Sequence, residues 1–270
     1  MTLQNDFWQV GILPQTGASI AYGRIRRGAV WLDFMRPTAP ENYPTASLCA
    51  SYVLVPWSNR IRDAHFRFQG VDYQLKVNYR DGTAIHGVGR DLPWKIAHAD
   101  DHRLRATFNS ADYPDINYPF AFSAAQEFTL DGPGFSVYTS VKNEDTRVMP
   151  AGFGHHPYFQ RLLDGQPVSI ELPCTQFYRL ENAMPSSGPV PIDEERLDFR
   201  QLKPLQPEQH EKGVDDLFAG RIGDKPVRFV YGDAELQMQA GALYKHLIRC
   251  LRQRRNPSSL LNLSPTLTMG

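Results

Sequence analysis

The chain has 270 residues, of which 41% are apolar and 21% are charged, and this balance excludes disordered and collagen-like chains. Twenty-nine Lys and Arg residues balance twenty-nine Asp and Glu residues, so no net positive charge favours nucleic acid or an anionic membrane surface. We therefore expect a globular protein with a small neutral or polar ligand, and no nucleic-acid or membrane partner. A β-rich chain of this length can form one domain, so we expect a single domain over residues 1–270.

The N-terminus, MTLQNDFWQV, lacks the basic start and apolar run of a signal peptide. No apolar run reaches the roughly 18 residues that a membrane-spanning helix needs. Cys49, Cys174 and Cys250 are widely spaced and form no Cys-x-x-Cys pair, so we expect reduced, buried thiols rather than disulfides or metal ligands. These features together predict a cytoplasmic protein.

Short alternating or β-branched segments follow one another along the chain and predict strands. In chain order they read FWQVGI, GAVWLDF, SYVLVPW, HFRFQGVDYQLKV, RLRATFNS, PFAFSAAQEFTL, FSVYTSVKN, VSIELP and VRFVYGDAELQMQA. Gln69-Gly70 and the LDGPGF segment predict hairpin turns. No long amphipathic helix is predicted, so the pattern is typical of an antiparallel sandwich or barrel.

Two segments depart from this pattern. Residues 182–225 are rich in Pro, Ser and charge, and we expect a long excursion over the surface. Residues 241–270 contain no Asp or Glu, whereas RCLRQRRNPSS carries four arginines. At the chain-wide frequency of acidic residues, the acid-free stretch after Glu235 has a chance of roughly one in fifty, so the composition changes there. A basic surface tail is the simplest interpretation.

Several polar residues stand at strand ends or in turns, where they could line one cleft. They are Asn59 and Arg60 in PWSNRI, His86 in AIHGVGRDLPW, His155 and His156 in GFGHHPYF, and Asp215 and Asp216 in GVDDLF. Amide, guanidinium, imidazole and carboxylate groups suit hydrogen bonding to hydroxyls. Each has a structural alternative: a histidine in a turn, a surface ion pair for Arg60, and a turn cap for either aspartate.

Pro157 biases His156 towards extended backbone and stiffens the segment, which suits a titratable group that transfers protons. Adjacent histidines in a strand point to opposite faces and cannot chelate one ion together, so we predict no metal site. No Gly-x-Gly-x-x-Gly, Walker or Gly-x-Ser-x-Gly motif occurs, so no nucleotide cofactor or serine hydrolase is predicted.

Taken in order, these residues resemble the aldose 1-epimerase (galactose mutarotase) family. The resemblance runs through WSNRI at 57–61, HG at 86–87, YPF at 118–120, GFGHHPYF at 152–159 and DDLF at 215–218, and covers about residues 10–248. It implies an all-β fold, a large antiparallel β-sandwich of the galactose-mutarotase type. It also implies a cofactor-free enzyme of carbohydrate metabolism that interconverts the α and β anomers of a hexose.

The resemblance also implies roles for individual residues. His156 matches the general acid that protonates the ring oxygen, and His86 matches a second donor near that oxygen and the anomeric carbon. Asn59, Arg60 and Asp215 match ligands of the sugar hydroxyls, with Asp216 the less suitable of the two aspartates. His155 is expected to face away from the sugar. The oligomeric state and the identity of the hexose stay open.

The C-terminus departs from the family, which places its catalytic base in a Glu-Pro-x-Thr segment. Here residues 250–270 are atypical and read SSLLNLSPTLTMG at 258–270, with no carboxylate. With suitable codons from Ser259 onward, a reading frame that starts one nucleotide earlier encodes Ala-Ala-Glu-Pro-Val-Thr-His-Ala-Asp-Asn. We therefore hypothesise a frameshift upstream of Ser259, which removes the base and impairs turnover.

Two alternatives follow from the same residues. If the base is absent by descent, the chain is expected to be a catalytically weak carbohydrate-binding or sensing protein on the same scaffold. If Arg62 or Arg90 binds phosphate, the chain is expected to be an epimerase of a hexose 6-phosphate. Anomer exchange separates the first alternative from an enzyme, and the relative affinity for glucose and glucose 6-phosphate tests the second.

Overall fold

The computed structural model describes residues 1–205, 214–244, 246–252 and 260–266, and of 214–215, 246–252 and 260–266 it describes the backbone alone. Within these ranges the secondary structure consists of strands and short 3-10 helices, with no α-helix. The described strand pairs are antiparallel. The predicted all-β class is therefore confirmed.

The first part of the chain supplies fourteen strands. They are β1 Thr2–Gln4, β2 Trp8–Leu13, β3 Ser19–Arg27, β4 Val30–Asp33, β5 Val53–Leu54, β6 Arg60–Ile61, β7 His65–Phe68, β8 Val71–Gln74, β9 Ala84–Ile85, β10 Lys95–Ala99, β11 Arg103–Asn109, β12 Phe122–Asp131, β13 Gly134–Asn143 and β14 Gly154–His155. The 3-10 helices in this part are Pro40–Asn42, Ala46–Leu48, Arg62–Ala64, Gly89–Asp91 and Ser110–Asp112.

The second part supplies thirteen described strands, most of them short. They are β15 Tyr158–Phe159, β16 Leu162–Leu163, β17 Gln166–Glu171, β18 Cys174–Tyr178, β19 Leu180–Glu181, β20 Met184–Pro185, β21 Val190–Pro191, β22 Lys203–Pro204, β23 Val214–Arg221, β24 Val227–Tyr231, β25 Ala234–Met238, β26 His246–Arg252 and β27 Leu260–Thr266. One 3-10 helix, Glu195–Leu197, lies among them.

The chain forms two compact units, and the first comprises residues 1–31 and 37–155. Strands β1, β2 and β3 are neighbours in one of its sheets, and β10 to β13 follow one another in another. Alternation along β12 buries Phe122, Phe128 and Leu130 in the core of this unit. Three small pairs, β5 with β14, β6 with β9 and β7 with β8, also lie in this unit, and two of them contain Arg60 and His155.

The second unit comprises residues 32–36 and 156–267. One sheet runs in the order β21-β18-β23-β26-β27 with β15 paired to β27, and another runs β16-β17-β24-β25. Phe34, Phe159 and Phe229 form an aromatic core, with centroid distances of 4.9 Å between Phe34 and Phe159 and 4.6 Å between Phe159 and Phe229. At about 25 cal/mol per Å² of buried apolar surface, such aromatic clusters supply much of the stabilisation of a unit this size.

One sequence prediction is wrong in the second unit. Residues 182–225 do not form only a surface excursion, because 214–221 are strand β23. β23 lies between β18 and β26, and its Phe218 is fully buried. The paired aspartates at its start hide the strand from a search for alternation. The other predicted strands, and both hairpins, are confirmed.

Cys49 and Cys174 are buried thiols, as predicted, and burial raises the pKa of Cys174 to about 12. The side chain of Cys250 lies outside the described residues. In the part of the chain that the structure describes, no helix has the length and apolar character needed to cross a membrane. The single-domain interpretation stays a prediction.

Candidate functional site

Three of the predicted residues, Asn59, Arg60 and His86, lie together in the first unit. Arg60 in β6 is the pairing partner of Ile85 in β9. The next residue, His86, donates its backbone N–H to the carbonyl of Asn59 at 2.9 Å. A guanidinium, a side-chain amide and an imidazole are therefore fixed on a two-strand platform.

The backbone at this platform adopts a conformation that few residues other than glycine tolerate. Asn59 has φ 53° and His86 has φ 65°, both in the left-handed region. Gly87 follows with φ 69°, and a Cβ atom there would overlap the backbone of Val55. The carbonyl of Val55 accepts the N–H groups of Val88 at 2.8 Å and Gly89 at 3.1 Å. Strain of this kind persists only where surrounding contacts hold it, and it concentrates at functional sites.

Arg60 is held in a defined orientation. Its Nε donates to Oδ2 of Asp81 at 2.9 Å, and its Nη1 donates to Oδ1 of Asn59 at 3.2 Å. The guanidinium carbon lies 5.4 Å from the ring centroid of Tyr79, within cation–π range. The side chain is only 12% exposed. The ion-pair alternative for Arg60 is thus observed, between a partly buried guanidinium and an exposed aspartate.

Asp81 is itself fixed by its neighbours. Its Oδ1 accepts the backbone N–H of Thr83 at 3.1 Å and the Thr83 hydroxyl at 2.6 Å. Partial burial alone raises the pKa of Asp81, but the hydrogen bonds from Thr83 and Arg60 outweigh this effect and lower the pKa below its usual value. The carboxylate is therefore ionised at neutral pH and compensates the charge of Arg60.

Asn78 holds the strand that leads to His86. Its Oδ1 accepts the N–H of Ile85 at 2.7 Å, and its Nδ2 donates to the carbonyl of Ile85 at 3.1 Å. The loop of residues 78–83, NYRDGT, thus contacts both halves of the platform: Asn78 holds β9 and Asp81 holds Arg60. This loop was not among the predicted site segments. The available signal was an Asp-Gly turn directly before β9.

Tyr52 lies next to His86, and Arg90 lies next to Tyr52. The ring centroids of Tyr52 and His86 are 6.0 Å apart with an interplanar angle of 61°. The guanidinium carbon of Arg90 lies 5.6 Å from the Tyr52 centroid, and its Nε lies 3.0 Å from Oδ2 of Asp91. Arg62, the other residue considered for phosphate, is exposed in a 3-10 turn. Arg60 and Arg90, both partly buried, are therefore ion-paired with aspartates.

The aromatic residues of the WSNRI and YPF motifs contact β9 and each other. Trp57 donates its indole N–H to the carbonyl of Ala84 in β9 at 3.3 Å. Its ring stacks on Tyr118 with a centroid distance of 5.7 Å, and the Tyr118 hydroxyl donates to the carbonyl of Pro150. Burial raises the pKa of Tyr118, so its phenol stays protonated. These residues act as structural support.

His155 belongs to the first unit, at the end of β14. Its pairing partner is Val53 in β5, and its Nε2 lies 2.8 Å from the Thr139 hydroxyl. Burial lowers its pKa to about 4, because the imidazolium form is poorly solvated there. His155 therefore stays neutral at physiological pH and packs against β13.

His156 is the first residue of the second unit's longer segment. Its ring lies 4.7 Å from the ring of Tyr158, and the guanidinium carbon of Arg36 lies 3.8 Å from the Tyr158 centroid. Arg36 also donates its backbone N–H to the carbonyl of Tyr158 at 2.9 Å. The imidazole is thus packed against an aromatic ring that is held by the neighbouring strand segment. Arg36 and Tyr158 were not among the predicted site residues.

The two aspartates of GVDDLF are both in β23. Asp215 is the pairing partner of Cys250, but its side chain lies outside the described residues, so its predicted role stays a prediction. Asp216 is buried, and its Oδ1 lies 3.5 Å from Nη1 of Arg196, which also pairs with Glu194 at 2.8 Å. Asp216 therefore forms an ion pair with Arg196.

The predicted absence of the base falls on the C-terminal segment. Residues 253–259 and 267–270 lie outside the described residues, and so do the side chains of 260–266. The frameshift hypothesis and the atypical character of 250–270 are therefore not tested by the structure.

The protein is all-β, and strained turns at its strand ends hold an amide, a guanidinium and an imidazole in fixed positions. Such an arrangement is typical of proteins that bind a small polar ligand. Within this class, residues 2–240 match the family described as aldose 1-epimerase. The chain belongs to the aldose 1-epimerase family, as the sequence resemblance predicted. This family is one of isomerase-type enzymes.

Two curated proteins of one organism are similar in sequence to this chain. The uncharacterized protein YihR of Escherichia coli K12 is 31% identical over 172 residues, which is 63% of this chain and 54% of YihR. The uncharacterized protein YphB of the same organism is 31% identical over 140 residues, 49% of this chain and 46% of YphB. The chain thus matches about half the length of these curated relatives.

The fold is shared with solved structures. A galactose mutarotase-like protein from Clostridium acetobutylicum superposes with a TM-score of 0.82, covering 98% of this chain and 84% of that chain at 15% identity. The GalM/aldose epimerase homologue from C. elegans gives a TM-score of 0.81, covering 98% and 88% at 14% identity. At such identities the similarity establishes the galactose-mutarotase type of fold.

Proposed function

We propose that the protein is an aldose 1-epimerase that interconverts the α and β anomers of a hexose. Family membership supports this reaction class. The observation that carries the proposal is the platform on which β6 and β9 hold Asn59, Arg60 and His86 together. Those three groups offer donors and an acceptor to the hydroxyls of one sugar.

The chemistry needs an acid and a base. Opening a pyranose ring requires a proton on the ring oxygen while the anomeric hydroxyl loses one. Rotation about the C1–C2 bond then allows the ring to close on the other face. We assign the acid to His156, since imidazoles suit proton transfer near neutral pH, and a second donor to His86. Because residues 241–270 contain no carboxylate side chain, the anomeric hydroxyl gives its proton to water in this chain, and turnover is impaired. No electron transfer or metal ion is required.

The remaining residues bind hydroxyls in this proposal. Arg60 and Asn59 donate to and accept from the sugar, and Asp215 accepts from a further hydroxyl. The charges near the platform favour a neutral hexose over a hexose 6-phosphate. Arg60 is compensated by Asp81 at 2.9 Å and Arg90 by Asp91 at 3.0 Å, so neither offers an uncompensated positive charge to a phosphate.

The test is anomer exchange of glucose and of galactose, measured by NMR in the unsubstituted chain and in His156→Asn and His86→Asn. We expect exchange above the uncatalysed rate in the unsubstituted chain. Loss of a general acid typically costs about 100-fold or more, so His156→Asn should fall to the uncatalysed rate. His86→Asn should reduce the rate less.

The matched control is His155→Gln, which alters the neighbouring imidazole that bonds Thr139 and that the proposal leaves out of the chemistry. It should retain the rate of the unsubstituted chain within about threefold, since groups outside the reacting set seldom change the barrier by more. Equal rates for His156→Asn and the unsubstituted chain would refute the assignment of the acid.

A second function is favoured by one observation, the absence of Asp and Glu from residues 241–270. A chain without a catalytic base would serve as a carbohydrate-binding or sensing protein. Anomer exchange separates the two functions. A protein with either function binds hexose in an NMR titration, whereas only the enzyme accelerates anomer exchange.

A further inference from the structure

We propose that Asp81 determines the charge preference of the sugar site. Its carboxylate compensates Arg60, so that the guanidinium serves as a donor to neutral hydroxyls rather than as a ligand for an anionic sugar. This inference rests on the proposed function, because it assumes that Arg60 contacts the sugar.

The first support is the way the donors of Arg60 are used. A guanidinium has five N–H donors in a planar fork. Among the described residues, Asp81 accepts from Nε and Asn59 accepts from Nη1. The remaining N–H groups on Nη1 and Nη2 of Arg60 can therefore donate to a ligand. The positive charge of the guanidinium is already compensated by the carboxylate of Asp81 at 2.9 Å.

The second support is the rigidity of the pair. Thr83 holds the opposite oxygen of Asp81 through two hydrogen bonds, and Asn78 ties the same loop to the strand before His86. The side chains of Arg60 and Asp81 are 12% and 28% exposed, so solvent screens their interaction only in part. A carboxylate anchored in this way keeps the guanidinium in one orientation in the absence of ligand.

The consequence concerns discrimination between ligands. An arginine without a counter-ion binds phosphate strongly through charge-assisted hydrogen bonds. With Asp81 in place, a phosphate approaching Arg60 also meets the carboxylate, and like charges in proximity disfavour binding. A neutral hydroxyl meets no such penalty, because it uses only the remaining N–H donors.

The experiment measures the dissociation constants of glucose and glucose 6-phosphate by calorimetry, and compares their ratio between variants. Asp81→Asn keeps the shape of the side chain and removes its charge. We expect weaker glucose binding and an increase of about tenfold in the preference for glucose 6-phosphate, since one uncompensated arginine–phosphate contact has that order of effect. Asp112→Asn, which breaks the exposed pair with Lys95, is the matched control and should leave the ratio unchanged.

Two further variants separate charge from structure. Arg60→Gln leaves Asp81 uncompensated, so the preference should shift towards glucose, and this result does not depend on whether Asp81→Asn folds. The double variant Arg60→Gln with Asp81→Asn carries neither charge, and its ratio should return to that of the unsubstituted chain. If Asp81 had only a structural role, Asp81→Asn would weaken the binding of glucose and of glucose 6-phosphate by the same factor.

The outcomes distinguish this inference from the proposed function. If the unsubstituted chain binds glucose but the ratio is unchanged in both single variants, the role of Asp81 is overturned and the sugar site stands. If the unsubstituted chain binds neither glucose nor glucose 6-phosphate, the proposed function fails and the inference fails with it.

Discussion

His155 and His156 are neighbours in the chain, yet their surroundings give them different properties. His155 is held against the Thr139 hydroxyl, and burial lowers its pKa to about 4. His156 packs against Tyr158. An imidazole that stays neutral throughout the physiological range suits a structural contact, whereas the proposed acid must gain and release a proton. The pair therefore combines a packing residue with a candidate catalytic residue.

The depressed pKa of His155 predicts how stability depends on pH. Its pKa falls from 6.5 in the unfolded chain to about 4 in the folded chain, so between these values the unfolded state binds more protons. The free energy of unfolding should therefore decrease as the pH falls from 6.5 towards 4. The loss attributable to His155 reaches about 3 kcal/mol at the lower limit. Chemical denaturation at a series of pH values measures it.

His155→Gln provides the comparison, because glutamine does not titrate and can still bond to Thr139. Its loss of stability over the same pH range should be smaller by about the contribution of His155. His98→Gln, at an exposed histidine, should lose as much stability between pH 6.5 and 4 as the unsubstituted chain. Identical pH profiles for His155→Gln and the unsubstituted chain would contradict the attribution.

At the scale of elements, the site depends on very short strands joined by strained turns. β6 and β9 have two residues each, and their pairing brings Arg60 next to the turn at His86. Gly87 permits this turn, since its φ of 69° is combined with close packing on Val55. A side chain at Gly87 would have to displace the backbone that positions His86.

Gly87→Ala should therefore reduce both stability and sugar binding. Left-handed strain and overlap with Val55 together should cost about 2–4 kcal/mol in the free energy of unfolding. Glucose binding should also weaken, because His86 moves with the turn. Thermal unfolding and a glucose titration measure the two effects.

Gly70→Ala is the matched control for this substitution. Gly70 has φ 81° in the β7–β8 turn, and a Cβ atom there meets open space. In Gly70→Ala the free energy of unfolding should fall by only the conformational cost of a positive φ, about 1 kcal/mol, and glucose binding should stay unchanged. Similar losses for the two variants would show that the contact with Val55 is unimportant.

The sequence predicted β12, β13 and both hairpins because their signals are local, but it missed the nine-residue strand β3. Gln69 and Gly70 both have positive φ, as the hairpin turn requires, and β12 joins β13 through Gly132 as expected. β23 was missed because its burial comes from long-range pairing with β18 and β26 rather than from its own alternation.

The candidate site was predictable in part for a similar reason. Asn59, Arg60 and His86 stand in short motifs with distinctive residue types. The contributions of Asn78 and Asp81 instead arise from side-chain hydrogen bonds to a strand and to a guanidinium, which leave no periodic pattern. Asn and Asp beside an Asp-Gly turn look like ordinary turn residues until the fold places β9 and Arg60 against them.

At the scale of the whole molecule, the C-terminal composition bears on activity. The family match covers residues 2–240, and no Asp or Glu occurs from 241 to 270. We expect resequencing of the DNA for residues 240–270 to reveal a shift of one nucleotide upstream of Ser259. The same in-frame sequence in independent isolates would remove the hypothesis.

The consequence for turnover can be measured on the protein itself, by comparing the chain as printed with a version in which the frame is restored from Ser259 onward. The restored segment contains Glu-Pro-Val-Thr and so returns a carboxylate to the proton relay. Since a general base contributes about 100-fold to 10,000-fold, the restored chain should exchange the anomers of glucose faster by that order. Glucose affinity should change much less, because Asn59, Arg60 and His86 are the same in both chains. Equal exchange rates in the two chains would mean that the base lies elsewhere or that none is needed, and the C-terminal segment would then have no part in the reaction.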